Sequence, residues 1–308
     1  MKAIRIHEYG STDVLLYEDA PMPELAPDDI LIKVTATSVN PVDCKIRSGH
    51  AKDWWPVPLP AILGWDVSGT VEQTGTMVTN FQKGDKVYSR NSISRNGAYA
   101  EYVAVRASEV APAPKNIPLE DAAGIPLACM TAWAGLFEQG NLRAGQSVLI
   151  HGPAGGVGTF AVQLARLAGA HVIATTSAAN TELITSLGAE KVIDYKSEDF
   201  SKILKDIDLV FDTIGGETQK KSWAIIKKGG TLVSTVGADE NAAKEHNVTA
   251  KQYMVDSSGG RLCVITGLVD ARKLKVIIDK KFTLTDIKEA HALSETGHAK
   301  GKIIVTVS

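Results

Sequence analysis

The chain has 308 residues, 44% of them hydrophobic and 22% charged, with a formal net charge of -2. Such a length points to two domains rather than one, and so even a charge balance leaves no electrostatic footprint for nucleic acid or an anionic membrane. No apolar run approaches the ~20 residues that cross a bilayer.

The N-terminus enters an alternating strand pattern at once and does not read as a signal peptide. Cys44, Cys129 and Cys263 lie far apart, without metal or disulfide spacing, so a reducing, cytoplasmic setting is expected. Short strand-like runs dominate the first 120 residues: Lys2–His7, Val14–Glu18, Asp29–Thr37, Val67–Thr74, Lys86–Ser89 and Ala98–Ala104. Pro, Gly, Asn and Asp separate them, which is an all-β pattern. Pro21, Pro23 and Pro27 mark an extended connection.

From about Asp121 strands alternate with helices, the signature of βαβ units. Asp121–Gly140 reads as a helical entry. Strands are expected at Ser147–His151, His171–Thr175, Lys191–Asp194, Leu209–Thr213, Gly230–Thr235 and Val248–Met254. Helices are expected after the glycine turn that follows His151, over Asn180–Leu187 with Gly188 as its C-cap, over Ser197–Leu204 and over Thr218–Ile226. The result is an α/β fold with a Rossmann doubly wound parallel sheet over 121–267 beside a mostly β domain over 1–120. Residues 268–308 alternate again at Val269–Phe282 and Ile303–Val307, around a helix at Ile287–Leu293.

The chemistry concentrates in Leu149-Ile150-His151-Gly152-Pro153-Ala154-Gly155-Gly156-Val157-Gly158. A buried strand ends in four glycines among seven residues, then a helix former begins at Thr159. Backbone N–H groups at such a helix start favour an anion. Bare glycines let a pyrophosphate approach the main chain. The spacing Gly152-x-x-Gly155-x-x-Gly158 departs from the strict G-x-G-x-x-G fingerprint. At the end of the second strand, Thr175-Thr176-Ser177-Ala178-Ala179-Asn180 holds no carboxylate for a ribose 2′-OH. Ser177 and Asn180 are donors for a 2′-phosphate, and Lys191 is the nearest cation. NADPH is therefore favoured over NADH. The same stretch also reads as an ordinary loop with Asn180 or Thr181 as a helix N-cap.

Two further stretches carry a resemblance. Ser38-Val39-Asn40-Pro41-Val42-Asp43-Cys44-Lys45 and Leu63-Gly64-Trp65-Asp66-Val67-Ser68-Gly69, taken with the glycine turn, resemble the medium-chain dehydrogenase/reductase superfamily. Within it they look like the zinc-free quinone oxidoreductase and enone reductase branch, and the likeness extends to the closing Gly301-Lys302-Ile303-Ile304-Val305. It implies a GroES-like catalytic domain over 1–120, completed by 268–308, with a substrate cleft between the domains, and a homodimer. It also implies that Thr131 and Tyr195 approach the cofactor, that Ala154–Val157 hold its pyrophosphate, and that Ile214 and Val236 border it. For Ile214 and Val236 plain core packing is the competing reading.

Zinc dehydrogenases of that superfamily carry a ligand Cys near Val39–Asn40, and Gly-His-Glu where this chain has Gly64-Trp65-Asp66. Catalytic zinc needs three protein ligands, and Asp66 alone does not supply them; no metal is expected. Hydride transfer without a metal suits electron-poor acceptors such as quinones, enals and enones. Asn40 and Lys45 are the candidate donors to a developing oxyanion, Lys45 being equally readable as a solvated surface residue. Asp43 reads as ordering its own loop. Trp54, Trp55 and Trp65 are candidate walls for a planar substrate, or hydrophobic fill. The competing functions are a non-catalytic NADPH-binding or scaffold protein and a generic alcohol or aldehyde dehydrogenase.

Overall fold

The structure, a computed structural model, describes residues 1–307. The chain forms two compact units, Met1–Leu127 with Asp256–Ser308, and Ala128–Val255.

In chain order the first unit opens with β1 (Lys2–Ile6), β2 (Leu16–Asp19), β3 (Asp29–Val39), α1 (Pro41–Arg47), β4 (Ala61–Ile62), β5 (Val67–Thr74), β6 (Lys86–Ser89), β7 (Tyr102–Arg106) and β8 (Val110–Pro112), then α2 (Leu119–Ala122); α3 (Pro126–Trp133) follows, most of its residues in the second unit. The second unit contributes β9 (Ser147–His151), α4 (Gly156–Leu167), β10 (His171–Thr176), α5 (Thr181–Leu187), β11 (Lys191–Asp194), α6 (Phe200–Ile203), β12 (Ile207–Asp212), α7 (Gly216–Ser222), β13 (Ile226–Ser234), α8 (Glu240–Glu245) and β14 (Thr249–Gln252). The chain then returns through α9 (Gly259–Asp270), β15 (Ile278–Thr283), α10 (Ile287–Glu295) and β16 (Lys302–Thr306).

The second unit is a six-stranded sheet in the order β11-β10-β9-β12-β13-β14, parallel at each pairing. Its central strands β9 and β12 are largely apolar and buried because both faces are covered. Leu149, Ile193, Phe200, Val210, Trp223 and Leu232 belong to one buried cluster. The first unit holds a three-stranded sheet, β2-β1-β4, and a seven-stranded sheet, β15-β16-β3-β5-β6-β8, with β7 also paired to β3. β16 runs antiparallel to β3 with Ile303 opposite Val39, so the last strand joins the sheet that begins with β3.

Several expected elements move. The run Ala98–Ala104 becomes a strand only from Tyr102, where pairing with β3 begins; before it the Ala98 and Tyr99 N–H groups go to the Gly64 and Leu63 carbonyls and the Glu101 N–H to that of Lys2. The helical entry Asp121–Gly140 is α2, α3 and a π-helix over Ala134–Gln139; Pro126 lacks the N–H that would continue the preceding turn and starts a new one. Ser197–Leu204 is helical only over α6, where Asp199 caps the Ser201 N–H. Val269–Phe282 is not one strand: its first residues end α9, which Ser258 caps and which buries Leu262, Ile265 and Val269 at helical spacing.

The unit boundaries also differ from the expected 120/121 and 267/268. The first unit runs on to Leu127 and resumes at Asp256. α9 belongs to it, since Tyr88 donates to the Leu262 carbonyl at 2.8 Å and Thr266 to that of Pro112 at 2.9 Å.

One ion pair pins the start of β3. Arg95 reaches buried Asp29 with two bonds of 2.8 and 2.6 Å, and the Ala26 N–H adds a third at 3.1 Å. Burial raises the Asp29 carboxyl, but Arg95 and the Ala26 N–H outweigh it and hold it below the usual carboxylate value. Arg95→Ala strands that charge, and urea unfolding is expected to show a loss of about 2–3 kcal/mol, under the range for a fully buried pair because Arg95 keeps some solvent contact. The lowered carboxyl means the deficit is full above the ordinary value of 3.8 and fades as pH falls through the lower folded value; a deficit that grows in acid would contradict this account.

Candidate active site

In the second unit the turn after β9 is built from close backbone approach. Gly152 adopts φ 69°, where a side chain is strained. A Cβ at Gly158 would overlap the Gly152 carbonyl oxygen. Gly155 differs: it is the extended N-cap of α4, and a Cβ there meets only the Gly152 oxygen at 3.6 Å, pointing otherwise into open space. The first-turn N–H groups of Gly156, Val157 and Gly158 have no intrahelical acceptor. Ala154, Gly155, Gly156 and Val157 are all half-buried, so the cradle is open to an anion.

Neighbouring strand ends close around it. Thr213 donates to the His151 carbonyl at 2.9 Å and lies, with Ile214, against the Cβ position of Gly152. Ile214 and Val236 are 56% and 44% exposed, so neither is core fill. Asp212, fully buried at the end of β12, is a residue whose role the sequence did not disclose. Its Oδ1 accepts the Ile214 and Gly215 N–H groups, both at 2.9 Å, and its Oδ2 accepts Gln219 at 2.8 Å and Ser234 at 3.4 Å. That carboxylate shapes the loop. His151 is buried between Thr175 (2.6 Å) and Ser222 (2.9 Å), and burial lowers its pKa to about 4; it is structural.

At the end of β10, the Tyr195 N–H donates to the Thr176 carbonyl at 3.2 Å, which brings together residues 19 positions apart in sequence. Asn180 donates to the hydroxyls of Thr176 (3.3 Å) and Ser177 (3.4 Å). Thr176 is buried, Ser177 and Asn180 are half-buried, and Tyr195 is 56% exposed. Lys191 sits at the opposite end of β11, beside Ile173. The cation on this turn is instead the exposed Lys196, which its position next to Tyr195 could have revealed. Thr131, on α3, is buried, and its carbonyl accepts the Tyr253 hydroxyl.

The first unit holds a buried polar cluster at the end of β3. The Asp66 Oδ2 accepts Ser38 at 2.6 Å, Asn40 Nδ2 at 2.9 Å and Lys302 Nζ at 3.3 Å. Its Oδ1 accepts the Leu127 N–H at 2.7 Å, a carboxylate placed at the start of α3 where the helix dipole favours it. Lys302 also donates to Asn40 Oδ1. Asn40 is therefore corrected from free oxyanion donor to anchor: its amide nitrogen is taken by Asp66 and, at 3.5 Å, by Ser38, and its oxygen by Lys302. Asp43 accepts the Asn40 N–H at 2.6 Å, ordering the loop. Burial, with the Asp66 charge nearby, pushes its carboxyl up to about 7 against that bond.

Lys45, on α1, is exposed and its ammonium has no partner among the described residues. The three tryptophans do not form one wall. Trp65 is fully buried in the cluster that contains Ile4, Ile46 and Leu63, and is corrected from pocket wall to core. Trp55 packs half-buried on that cluster, and Trp54 is 76% exposed.

Residues 26–115 match the alcohol dehydrogenase GroES-like domain family, and residues 187–305 match the zinc-binding dehydrogenase family. A 2-methylene-furan-3-one reductase of Solanum lycopersicum is 37% identical over 99% of this chain and 79% of its own length. An NADPH-dependent alkenal/one oxidoreductase of Arabidopsis thaliana, chloroplastic, is 38% identical over 99% and 79%. The solved quinone oxidoreductase of Coxiella burnetii superposes with a TM-score of 0.93 at 35% identity, covering 100% of this chain and 99% of that one. The chain belongs to the quinone oxidoreductase branch of the medium-chain dehydrogenase/reductase superfamily.

The donors of this quinone oxidoreductase-branch protein do not suit zinc. Both Asp66 oxygens are engaged, and a lysine ammonium, not a metal-binding lone pair, faces them. No group of three or more His, Cys, Asp or Glu side chains among the described residues is placed to hold a metal. A dinucleotide fits: the open Gly155 position leaves room beside unpaired helical N–H groups.

Two glycine variants separate fold from ligand. Gly155→Val is expected to keep the wild-type melting temperature within about 2 °C, as surface changes do, while NADPH affinity falls at least about tenfold in calorimetry. Gly158→Val is expected to unfold at much lower temperature, because its side chain has nowhere to go. Equal behaviour of the two variants would refute this geometry.

Proposed function

We propose that the protein reduces quinones or α,β-unsaturated carbonyls with NADPH, by hydride transfer that uses no zinc. The observation that carries this reading is the open glycine cradle beside a β10 turn, Thr176–Asn180, that has no carboxylate to repel a 2′-phosphate.

When bound, NADPH supplies the hydride. The N–H groups of Gly156, Val157 and Gly158 would hold its pyrophosphate, and Ile214 and Val236 would face it. Ser177, Asn180, Tyr195 and Lys196 are the groups available to its 2′-phosphate. Reduction of an enone adds hydride at the β-carbon and a proton at the α-carbon, and the carbonyl oxygen carries negative charge in between. Lys45 is the free donor for that oxygen, and a cation brought to such a developing charge lowers the barrier to hydride transfer. An acceptor already conjugated to a carbonyl needs no Lewis acid to accept hydride, which accords with the zinc-unsuited donors around Asp66. Trp54 and Trp55 remain available as flat surfaces for the acceptor.

A homodimer in the cytoplasm accompanies this reading. Its supports are the free backbone edge of β14, a row of groups that a second copy can pair, and three cysteines that are all free thiols. Light scattering of the purified protein measures the first.

NADPH consumption across a panel of quinones, enals and enones tests the function. Turnover with at least one class is expected, faster with NADPH than with NADH. Tight NADPH binding with no turnover across the panel would favour a binding or scaffold protein, and stoichiometric zinc by metal analysis would restore the dehydrogenase reading. Lys45→Ala is expected to slow single-turnover hydride transfer by about 10- to 100-fold while the dissociation constant for NADPH changes less than about twofold. Unchanged single-turnover rates would remove Lys45 from the mechanism.

A further inference from the structure

Resting on the reductase reading above, we propose that Lys302 is a positioning residue for the reaction. Its buried ammonium fixes the Asn40 side chain and the Asp66 carboxylate in one arrangement, and through Asn40 it sets the start of α1, the helix that carries Lys45.

Lys302 opens the last strand, 3% exposed, with its backbone N–H on the Ile277 carbonyl at 2.8 Å. The pairing of Ile303 with Val39 sets it across from Asn40, the residue after β3. A lysine is almost never fully buried unless paired, and here the pairing is specific. Two of its three protons go to Asn40 Oδ1 and Asp66 Oδ2.

Asn40 stands at the N-cap of α1. An N-cap asparagine ordinarily turns its side-chain oxygen onto the N–H of the second or third helical residue. Here the oxygen is shared: Asn40 and Asp43 form a capping box at the start of α1, and Lys302 also holds the Asn40 oxygen while Asp66 and Ser38 hold the nitrogen. The helix start is thus fixed from the interior as well, by Lys302 on the side chain and by Asp43 on the Asn40 N–H. Without the ammonium, Asn40 keeps only the capping box, and its side chain is free to turn further toward α1. Such a rotation withdraws a donor from Asp66 and re-aims the turn that leads to Lys45. The charged groups facing Asp66 are Lys302, Asp43 on α1 and Arg90 after β6.

The experiment compares wild type with Lys302→Met, Lys302→Arg, Asn40→Ala and the Asn40→Ala/Lys302→Met double variant, using the acceptor that wild type turns over. Lys302→Met is expected to lower kcat at least about tenfold, with the acceptor KM and NADPH affinity within about threefold. Lys302→Arg should recover most of the loss. The double variant should be no slower than the slower single variant, because both act through one contact. Hydrogen exchange read on the α1 amides supplies a measure independent of turnover: Lys302→Met should lose protection there while β9 keeps it.

A Lys302→Met enzyme with wild-type kcat and α1 protection overturns the proposal. So do additive effects in the double variant, or equal losses in the Met and Arg variants. Should Lys302→Met fail to fold, Asn40→Ala decides: it must reproduce the kcat loss at unchanged KM, and wild-type kcat there refutes the role. If wild type turns over no acceptor, the reductase reading falls, and exchange on α1 still judges Lys302.

Discussion

A carboxylate buried without partners gives up its charge or unfolds its surroundings. Asp66 is fully buried, and the residues that meet it come from three separate stretches of chain. Ser38 arrives on β3, Asn40 from the turn after it, Leu127 from the first turn of α3 and Lys302 from β16. The Asp66 carbonyl takes Thr37 as well, at 2.6 Å. Removing one partner of such a buried pair costs about 3–5 kcal/mol. The start of the chain, its middle and its final strand are thereby tied at one point, and the turn into α1 inherits its geometry from that point.

The second unit repeats the device without a cation. Asp212 satisfies its carboxylate with two backbone N–H groups, an amide and a hydroxyl. The work is different: Asp66 joins strands and a helix, whereas Asp212 curls a single loop so that Ile214 stands outward beside the glycine turn. In both units an acidic side chain at a strand end sets the shape of a functional turn from below, and the groups that would touch a ligand are held by others that would not.

Strands bounded by turn residues were legible. Val67–Thr74, Lys86–Ser89, Ser147–His151 and Lys191–Asp194 stand where alternation or a short apolar run placed them, because Gly, Asn or Asp lies at or within about three residues of each end. The helix α9 was not legible: three glycines lie within it and weaken the propensity signal, leaving Ser258 as the one clear cue. The glycine turn was readable in kind and partly in detail. Spacing could not separate Gly158, which the fold requires, from Gly155, which only a ligand requires; that needed the positions of neighbouring backbone atoms. Trp65 and Asn40 show the same boundary. Identity and order along the chain fix what a residue is able to do, but the direction of its side chain depends on strands far away in sequence. Lys302, nearly at the end of the chain, faces Asn40 through a pairing that local pattern does not encode.

The cysteines have a bearing on the company this protein would keep. Enals and quinones are electrophiles that alkylate thiolates, and a thiol is attacked only as far as it ionises and is reached by solvent. Cys44 is buried and its thiol is pushed up to about 12, and Cys129 is buried and raised further, by burial in each case. Neither offers a nucleophile to a passing substrate. Cys263, on α9, is the exposed thiol, so covalent damage from the acceptor pool would fall on the outside of the first unit and spare the interior on which the turn into α1 depends.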